Sequence, residues 1–328
     1  MAVRSFSVRN FRKIGNQGVN LDEWEAVNVL VGPNNAGKSS LLKIAEDCFT
    51  AIRKQSLPLE TEDFHRLNFN HPVEVEASVD RTLSGDAWDW VLRDQVRYRL
   101  VANREATKLS CVLDQSLPPD TIANAIRHLA GRHINEREPE HIRTSCEWLE
   151  EHYPGTRRAA NWSELPSVVH VPEYRQIRAG ESPTVDGTGL FSRLAMLQNP
   201  DAGPSRDSFR QQFEHIQEAI RQLLGDPKLT IEIPFSRNTI IINHDGLSLG
   251  IERHGAGIHQ AAIILSTALA SEALLVLIEE PEIHLHPRMQ RRFLDILLGM
   301  SEKQYVVTSH SSAFMNFASQ HADRGVSI

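Results

Sequence analysis

Three cysteines in 328 residues, Cys48, Cys111 and Cys146, are odd in number and widely spaced, and no CxxC pair occurs. That usage excludes a disulfide framework and a cysteine-held zinc site, and it fits a reducing compartment. A membrane span is missing too, because Ser266, Thr267, Ser271 and Glu272 interrupt the longest apolar region, residues 261–278. The N-terminal "MAVRSFSVRNFRKIG" alternates polar and apolar residues and lacks the continuous apolar core of a secretory signal. The chain is therefore expected in the cytoplasm, with no membrane partner. There is no excess of basic charge: the formal net charge of -7 does not advertise nucleic-acid binding, although a local basic patch fits inside an acidic total. The small clusters Arg9, Arg12, Lys13 and Arg288, Arg291, Arg292 read as solvated faces. No repeat, low-complexity tract or sustained heptad pattern occurs, which rules out a long coiled coil.

What is present is concentrated in two stretches. "VNVLVGPNNAGKSSLL" contains Gly32-Pro33-Asn34-Asn35-Ala36-Gly37-Lys38-Ser39, a full match to G-x-x-x-x-G-K-[ST]. An apolar strand candidate, Val27 to Val31, precedes it. Behind it Leu41, Leu42, Ile44, Ala45, Cys48, Phe49 and Ile52 recur at helical spacing, so the glycine loop opens a helix to about Arg53. Backbone N–H groups of such a loop cradle phosphates, with Lys38 on the β and γ oxygens and the Ser39 hydroxyl on Mg²⁺. Lys38 is expected to meet phosphate and no protein partner. The second stretch, "LLVLIEEPEIHLHP", is a short unalternating apolar run, the pattern of a strand buried on both faces of a parallel sheet, and it ends in Glu279 and Glu280. In open α/β sheets ligands bind beyond the carboxyl ends of strands, where this pair stands. A phosphate loop needs an acidic residue on a distant strand to complete its metal site, and the pair supplies one. His284 and His286 form an H-x-H pair but lack further ligands at a metal spacing, so zinc is not inferred.

The rest of the chain reads as an α/β protein. Residues 1–31 predict two strands joined by a polar connection. From His71 to Leu113 apolar and polar residues alternate, predicting a small antiparallel sheet with one wet face. A helical insert region of about 118–225 follows, with a helix capped by Asp120 or Thr121 running to about Leu129 and another over "PEHIRTSCEWLEEHY". Within that region "VVHV" has strand character and about Phe209 to Leu224 is helical. "LTIEIPF" and "TIIIN" mark a hairpin region with a turn at His244-Asp245-Gly246. The loop His254-Gly255-Ala256-Gly257 then runs into an apolar helix from Ile258. The double-glutamate strand, a helix over "RMQRRFLDILLGM" and a strand ending in Thr308-Ser309-His310 complete the chain.

"NFR" at Asn10 to Arg12, "GPNNAGKSS", "IEEPEIHLHP" and "VTSHS", in this order, resemble the ABC-type ATPase fold of transporter motors, SMC proteins, RecF and the OLD (overcoming lysogenization defect) nucleases. They look most like the OLD branch and related anti-phage ATPases. The resemblance implies a P-loop NTPase of ABC-type architecture over all 328 residues: a mainly parallel core sheet flanked by helices, a β-subdomain at 71–113 and the helical insert. It implies ATP and Mg²⁺ as cofactors, held by Gly32 to Ser40 and, in a partner chain's site, by the signature loop His254 to Gly257. Glu279, with Ser39, matches the metal-holding acid, Glu280 the base that activates water, and His310 a switch histidine on the γ-phosphate. "EIHLHP" takes the D-loop position at a dimer seam, and Gln176 is the candidate for the Q-loop. Two departures stand out: Glu279 where the family carries Asp, and no Ser before the signature glycines. The implied function is ATP hydrolysis driving a head-to-tail homodimer or higher oligomer that controls a DNA-directed nuclease activity. The nuclease module is expected elsewhere, downstream or on a partner protein, because no DxD pair follows and "RGVSI" reads as a strand just begun. A RecF-like DNA-repair clamp and a non-hydrolysing nucleotide-switch scaffold are the alternatives.

Overall fold

The computed structural model describes residues 2–54, 59–80, 95–112 and 166–327, apart from 181, 235, 237, 238 and 301, together with the isolated residues Leu57, Ala123, Asn124 and Arg127. The two helices expected between residues 120 and 153 lie outside the described residues, those three isolated positions aside. The elements in chain order are β1 (Val3–Arg9), β2 (Val19–Leu21), β3 (Val27–Val31), α1 (Lys38–Lys54), β4 (Val73–Asp80), β5 (Gln95–Ala102), β6 (Thr107–Val112) and β7 (Val168–Val171). They continue with α2 (Leu190–Gln198), α3 (Arg206–Leu224), β8 (Thr230–Glu232), β9 (Ile241–His244), β10 (Leu247–Gly250), α4 (Ala256–Ala270), β11 (Leu275–Glu279), α5 (Pro287–Gly299), β12 (Gln304–Ser309), α6 (Ser312–Gln320) and β13 (Val326–Ser327).

Two compact units divide the chain. The first, Met1–Trp24 with Lys43–Ser167, is built on a five-stranded antiparallel sheet in the order β2-β1-β4-β5-β6. Its strands alternate as antiparallel sheets with one buried face do: Val73, Val75 and Ala77 are buried while Glu74 and Glu76 are half-buried. Phe6 anchors the packing, with ring centroids 6.0 Å from Trp24 and 6.4 Å from Phe49. Cys48 is buried beside them, and burial pushes its thiol up to about 12, so it is a small hydrophobe rather than a nucleophile. One expectation is corrected here: residues 1–31 carry three strands, because the polar connection itself contains the short β2 paired with β1.

The second unit, Glu25–Leu42 with Val168–Ile328, holds a five-stranded parallel sheet in the order β13-β3-β12-β11-β7. Every residue of β11 and β12 is buried, which is why their sequences show no alternation. Side chains pointing one way, among them Val27, Val29, Val276, Ile278, Tyr305 and Val307, join one core with Ile263, Ile264 and Leu265 of α4, Ile216 and Ile220 of α3, and Phe293 and Leu294 of α5. A smaller antiparallel sheet, β10-β9-β8, adds Ile231 and Ile242 to that core. Asp245 and Gly246 turn β9 into β10, and both have positive φ (50° and 77°), the requirement of a tight two-residue hairpin. The register sets up the site: Val31 pairs with Ser309 and Thr308 with Glu279, so β3, β12 and β11 end level with one another. No helix among the described residues is long and apolar enough to cross a membrane.

Candidate functional site

The phosphate-loop motif leaves β3 at Gly32 and enters α1 at Lys38. Gly37 has φ 101°, which only glycine takes without strain, and Asn35 has φ 69°. At about 4.8 Å per strand step, the residues after β11, two strands away, stand roughly 10 Å from this loop. The Lys38 side chain spans that interval. Its Nζ donates to the Gly32 carbonyl (2.9 Å) and the Pro33 carbonyl (3.3 Å) and lies 3.3 Å from Glu280 Oε1. Lys38 therefore does have protein partners, against the sequence expectation. A loop that folds around an ammonium presents its carbonyls and the nearest carboxylate to it.

Glu280 sits in a strained turn at φ 39°, directly before Pro281, with its N–H donating to the Thr308 carbonyl (3.0 Å). Left-handed backbone at a non-glycine residue costs on the order of 1–3 kcal/mol and persists where function or packing holds it. On its other side, His310 Nδ1 lies 2.6 Å from Glu280 Oε2. A carboxylate only accepts, so Nδ1 donates and Nε2 of the half-exposed ring is left for another group. Burial pushes the Glu280 carboxyl up, but the His310 hydrogen bond, the neighbouring Glu282 carboxyl and the Lys38 charge together outweigh it and hold the group below its ordinary value. Glu280 is thus ionised at neutral pH, the state a general base must have.

Sequence reasoning missed several side chains here. Glu282 is buried; its Oε1 accepts from the Ser309 hydroxyl and from the His310 backbone N–H (2.9 Å), tying the end of β12 to the turn after β11. Burial raises its carboxyl, and its Oε2 has no hydrogen-bond partner. Glu279 turns instead to β7, where His170 Nε2 is 3.2 Å from its Oε1. Beneath both glutamates lies the buried Arg175, whose guanidinium donates to the carbonyls of Pro172 (2.7 Å), Glu279 (2.6 Å) and Glu280 (3.2 Å) and to Gln260 Oε1 of α4 (2.7 Å). Burial lowers Arg175 to about 10, with Glu173, Glu279 and Glu282 opposing the shift, so it stays charged. The repeated acid in "EEPE" and the lone His in "VVHV" were signals for Glu282 and His170; nothing in the sequence flags Arg175. Replacing Arg175 by Met should leave three carbonyls short of a donor and destabilise the protein by about 2–4 kcal/mol. Urea denaturation checks this, and an unchanged midpoint would contradict the role given to Arg175.

Ser39 and Ser40 stand in the first turn of α1, with Ser39 exposed. The loop from His254 to Gly257 enters α4 two residues earlier than the sequence suggests, through the N-cap Gly255. It packs on the turn after β11, where a Cβ on Gly257 would come within 2.5 Å of the His284 carbonyl. Its backbone bonds are local, His254 N–H to the Ile251 carbonyl (3.0 Å) and Ile258 N–H to the Gly255 carbonyl (2.9 Å). His286 spends its Nδ1 capping α5, accepting from Arg288 N–H, which removes it from any H-x-H metal pair. Gln176 is exposed and held by Arg178 and Tyr174. Three carboxylates, Glu279, Glu280 and Glu282, gather at the strand ends, and Glu280, Glu282 and His310 offer ligand atoms within 4.8 Å of one another. Hard oxygen donors beside a phosphate loop, one of them an unpartnered Glu282 oxygen, fit Mg²⁺.

A family profile described as an AAA ATPase domain matches residues 1–78 and 192–315, more than half of the chain and all of the phosphate loop, the double glutamate and His310. The chain belongs to the AAA ATPase domain family. Within that family's matched span lie Glu282 and Ser309, whereas His170 and Arg175 fall outside it. The chain is also 24% identical to an OLD nuclease of Thermus scotoductus over 95% of its own length, and spans 59% of the length of that relative. A solved SMC head bound to the C-winged helix domain of ScpA shares the fold, with a TM-score of 0.54 at 14% identity, covering 97% of this chain and 92% of that one. The ABC-type α/β architecture and the OLD resemblance read from the motifs agree with these likenesses.

Proposed function

We propose that this AAA ATPase domain hydrolyses ATP with Mg²⁺ at the ends of β3, β11 and β12, and uses nucleotide-dependent head-to-tail dimerisation to control a DNA-directed nuclease activity. The observation that carries the reading is the line Lys38–Glu280–His310, closed by contacts of 3.3 and 2.6 Å at three level strand ends. Backbone N–H groups from Gly32 to Ser40 cradle the phosphates and Lys38 moves from Glu280 to the β and γ oxygens. Ser39 and Glu279 would hold Mg²⁺, which would supply positive charge at the phosphates. Glu280, released from Lys38, accepts the proton of the attacking water, and His310 keeps that carboxylate oriented while offering Nε2 toward the γ-phosphate. The first-turn N–H groups of α4, behind the 254–257 loop, are the donors offered to a partner's nucleotide. The likeness to an OLD nuclease supports a nuclease as the controlled activity.

Light scattering tests the dimer. The expected result is a doubling of mass on adding Mg-ATP, lost when Mg²⁺ is chelated. A mass that stays constant under all nucleotide conditions would contradict it.

A further inference from the structure

The first unit contains a cavity that nucleotide hydrolysis does not use. It has a volume of about 280 Å³ and is lined by Asn10, Asn16, His65, Arg66, Asn68 and His71. Two separate stretches of chain build it, locked by His65 N–H on the Asn10 carbonyl (3.1 Å), Arg12 N–H on the Asp63 carbonyl (2.8 Å) and a bridge between Phe11 and Phe64. Four non-glycine residues of these stretches, Asn10, Arg12, Arg66 and Leu67, have φ between 47° and 60°. Strain of this kind persists only where the surroundings over-determine it, and it concentrates at binding sites.

The lining has a definite hydrogen-bonding demand. Asn10 is buried, at 8% exposure; its Nδ2 donates to the Pro72 carbonyl (3.0 Å) and its Oδ1 has no partner. Turning the amide over would set two acceptors against each other, so the unpartnered atom is the oxygen and it lacks a donor. His65 Nδ1 lies 2.7 Å from the Arg12 carbonyl and must donate to it, so in the tautomer with hydrogen on Nδ1 alone Nε2 is a second acceptor. Around these stand donors. Asn68 spends its Oδ1 on Asn70 N–H and keeps its amide N–H groups, and Arg66 is exposed, with no carboxylate paired to it among the described residues. Two acceptors on lining residues, one of them buried without a partner, and an exposed cation beside them call for a ligand with negative oxygens and a hydroxyl close together.

We propose that this cavity is a phosphomonoester site, with Arg66 and Asn68 on the phosphoryl oxygens and Asn10 Oδ1 and His65 Nε2 accepting from a P–OH or adjacent hydroxyl. A monoester loses its second proton at about pH 6, so its P–OH form is present near neutrality. A phosphodiester inside a DNA strand has neither a P–OH nor a neighbouring hydroxyl and does not meet the demand. A free phosphomonoester and the phosphorylated end of a nucleic-acid strand share the required chemistry. The site stands independently of the hydrolysis proposed above.

The experiment uses the full chain carrying Lys38→Ala, which removes the phosphate loop as a competing anion site. Inorganic phosphate is titrated by ³¹P NMR, and a 5′-phosphorylated oligonucleotide is compared with its 5′-hydroxyl form by fluorescence anisotropy. Phosphate is expected to bind, and Arg66→Asn, which tolerates left-handed backbone and sits at an exposed position, should weaken it by roughly tenfold without changing thermal stability. If the 5′-phosphate raises oligonucleotide affinity and Arg66→Asn removes the gain, the strand end is the source. If inorganic phosphate binds but the oligonucleotide end makes no difference, the source is a small phosphoester. Either result upholds the site. Absence of phosphate binding at millimolar concentration, or binding indifferent to Arg66→Asn, would overturn it.

Discussion

Glu280→Gln should lower ATP hydrolysis by about 10²–10⁴-fold, the usual contribution of a positioned base, while ATP still binds. Glutamine keeps the size of the side chain, and its one oxygen can still accept from Lys38 Nζ, now 3.3 Å from Glu280 Oε1, while its amide N–H can donate to His310 Nδ1, now 2.6 Å from Oε2, once that ring takes the Nε2–H tautomer. What it cannot do is take the water's proton. Nucleotide bound but not cleaved should then hold two chains together, so the variant is expected to be dimeric with Mg-ATP and monomeric without it. Glu279→Gln should behave differently, because that carboxylate faces His170 and is assigned to Mg²⁺: its loss should weaken Mg²⁺ dependence and nucleotide affinity together. If Glu279→Gln is the variant that traps a dimer, the roles within the pair are reversed.

Lys38→Ala is expected to lose most ATP affinity and all measurable turnover. Each charge-assisted bond to phosphate contributes roughly 1.5–3 kcal/mol, so two of them lost from the β and γ oxygens should weaken binding by at least about 10²-fold. The contacts of Lys38 within the protein complicate the comparison in a predictable direction. Removing the ammonium leaves Glu280 without one of the charges that hold its carboxyl down, so that group should bind protons more readily in the variant. The carbonyls of Gly32 and Pro33 lie at the surface and can turn to water, so stability should fall by no more than about 1 kcal/mol. Isothermal titration with Mg-ATP together with urea denaturation separates the two effects. Unchanged nucleotide affinity would remove the phosphate loop from the account.

The parts of this candidate site that are legible in the sequence are those encoded by local spacing. Gly32 to Ser39 sits within one turn of chain, and a strand buried on both faces announces itself as the continuous apolar run ending at Glu279 and Glu280. The level ends of β3, β12 and β11 follow from a register that no local pattern contains. His170 meets Glu279 only because β7, more than a hundred residues earlier, lies beside β11 in the sheet. Arg175 looks in sequence like any polar residue in a loop, and its burial under two glutamate carbonyls is a tertiary fact. Lys38 shows the opposite error: the motif indicates what it meets when phosphate is bound, and says nothing of the carbonyls and carboxylate that surround it otherwise. The antiparallel sheet of the first unit was legible because alternation in "VEVEASVD" fixes which face is buried, whereas β2 is three residues long and too short to leave a pattern.

The central claim, that Glu280 between Lys38 and His310 is the base for ATP hydrolysis, is met most directly by single-turnover phosphate release with protein in excess over Mg-ATP, comparing the parent chain with Glu280→Gln at saturating binding. Both are expected to bind the nucleotide, and only the parent to release phosphate at an appreciable rate. Equal rates from the two proteins would contradict it.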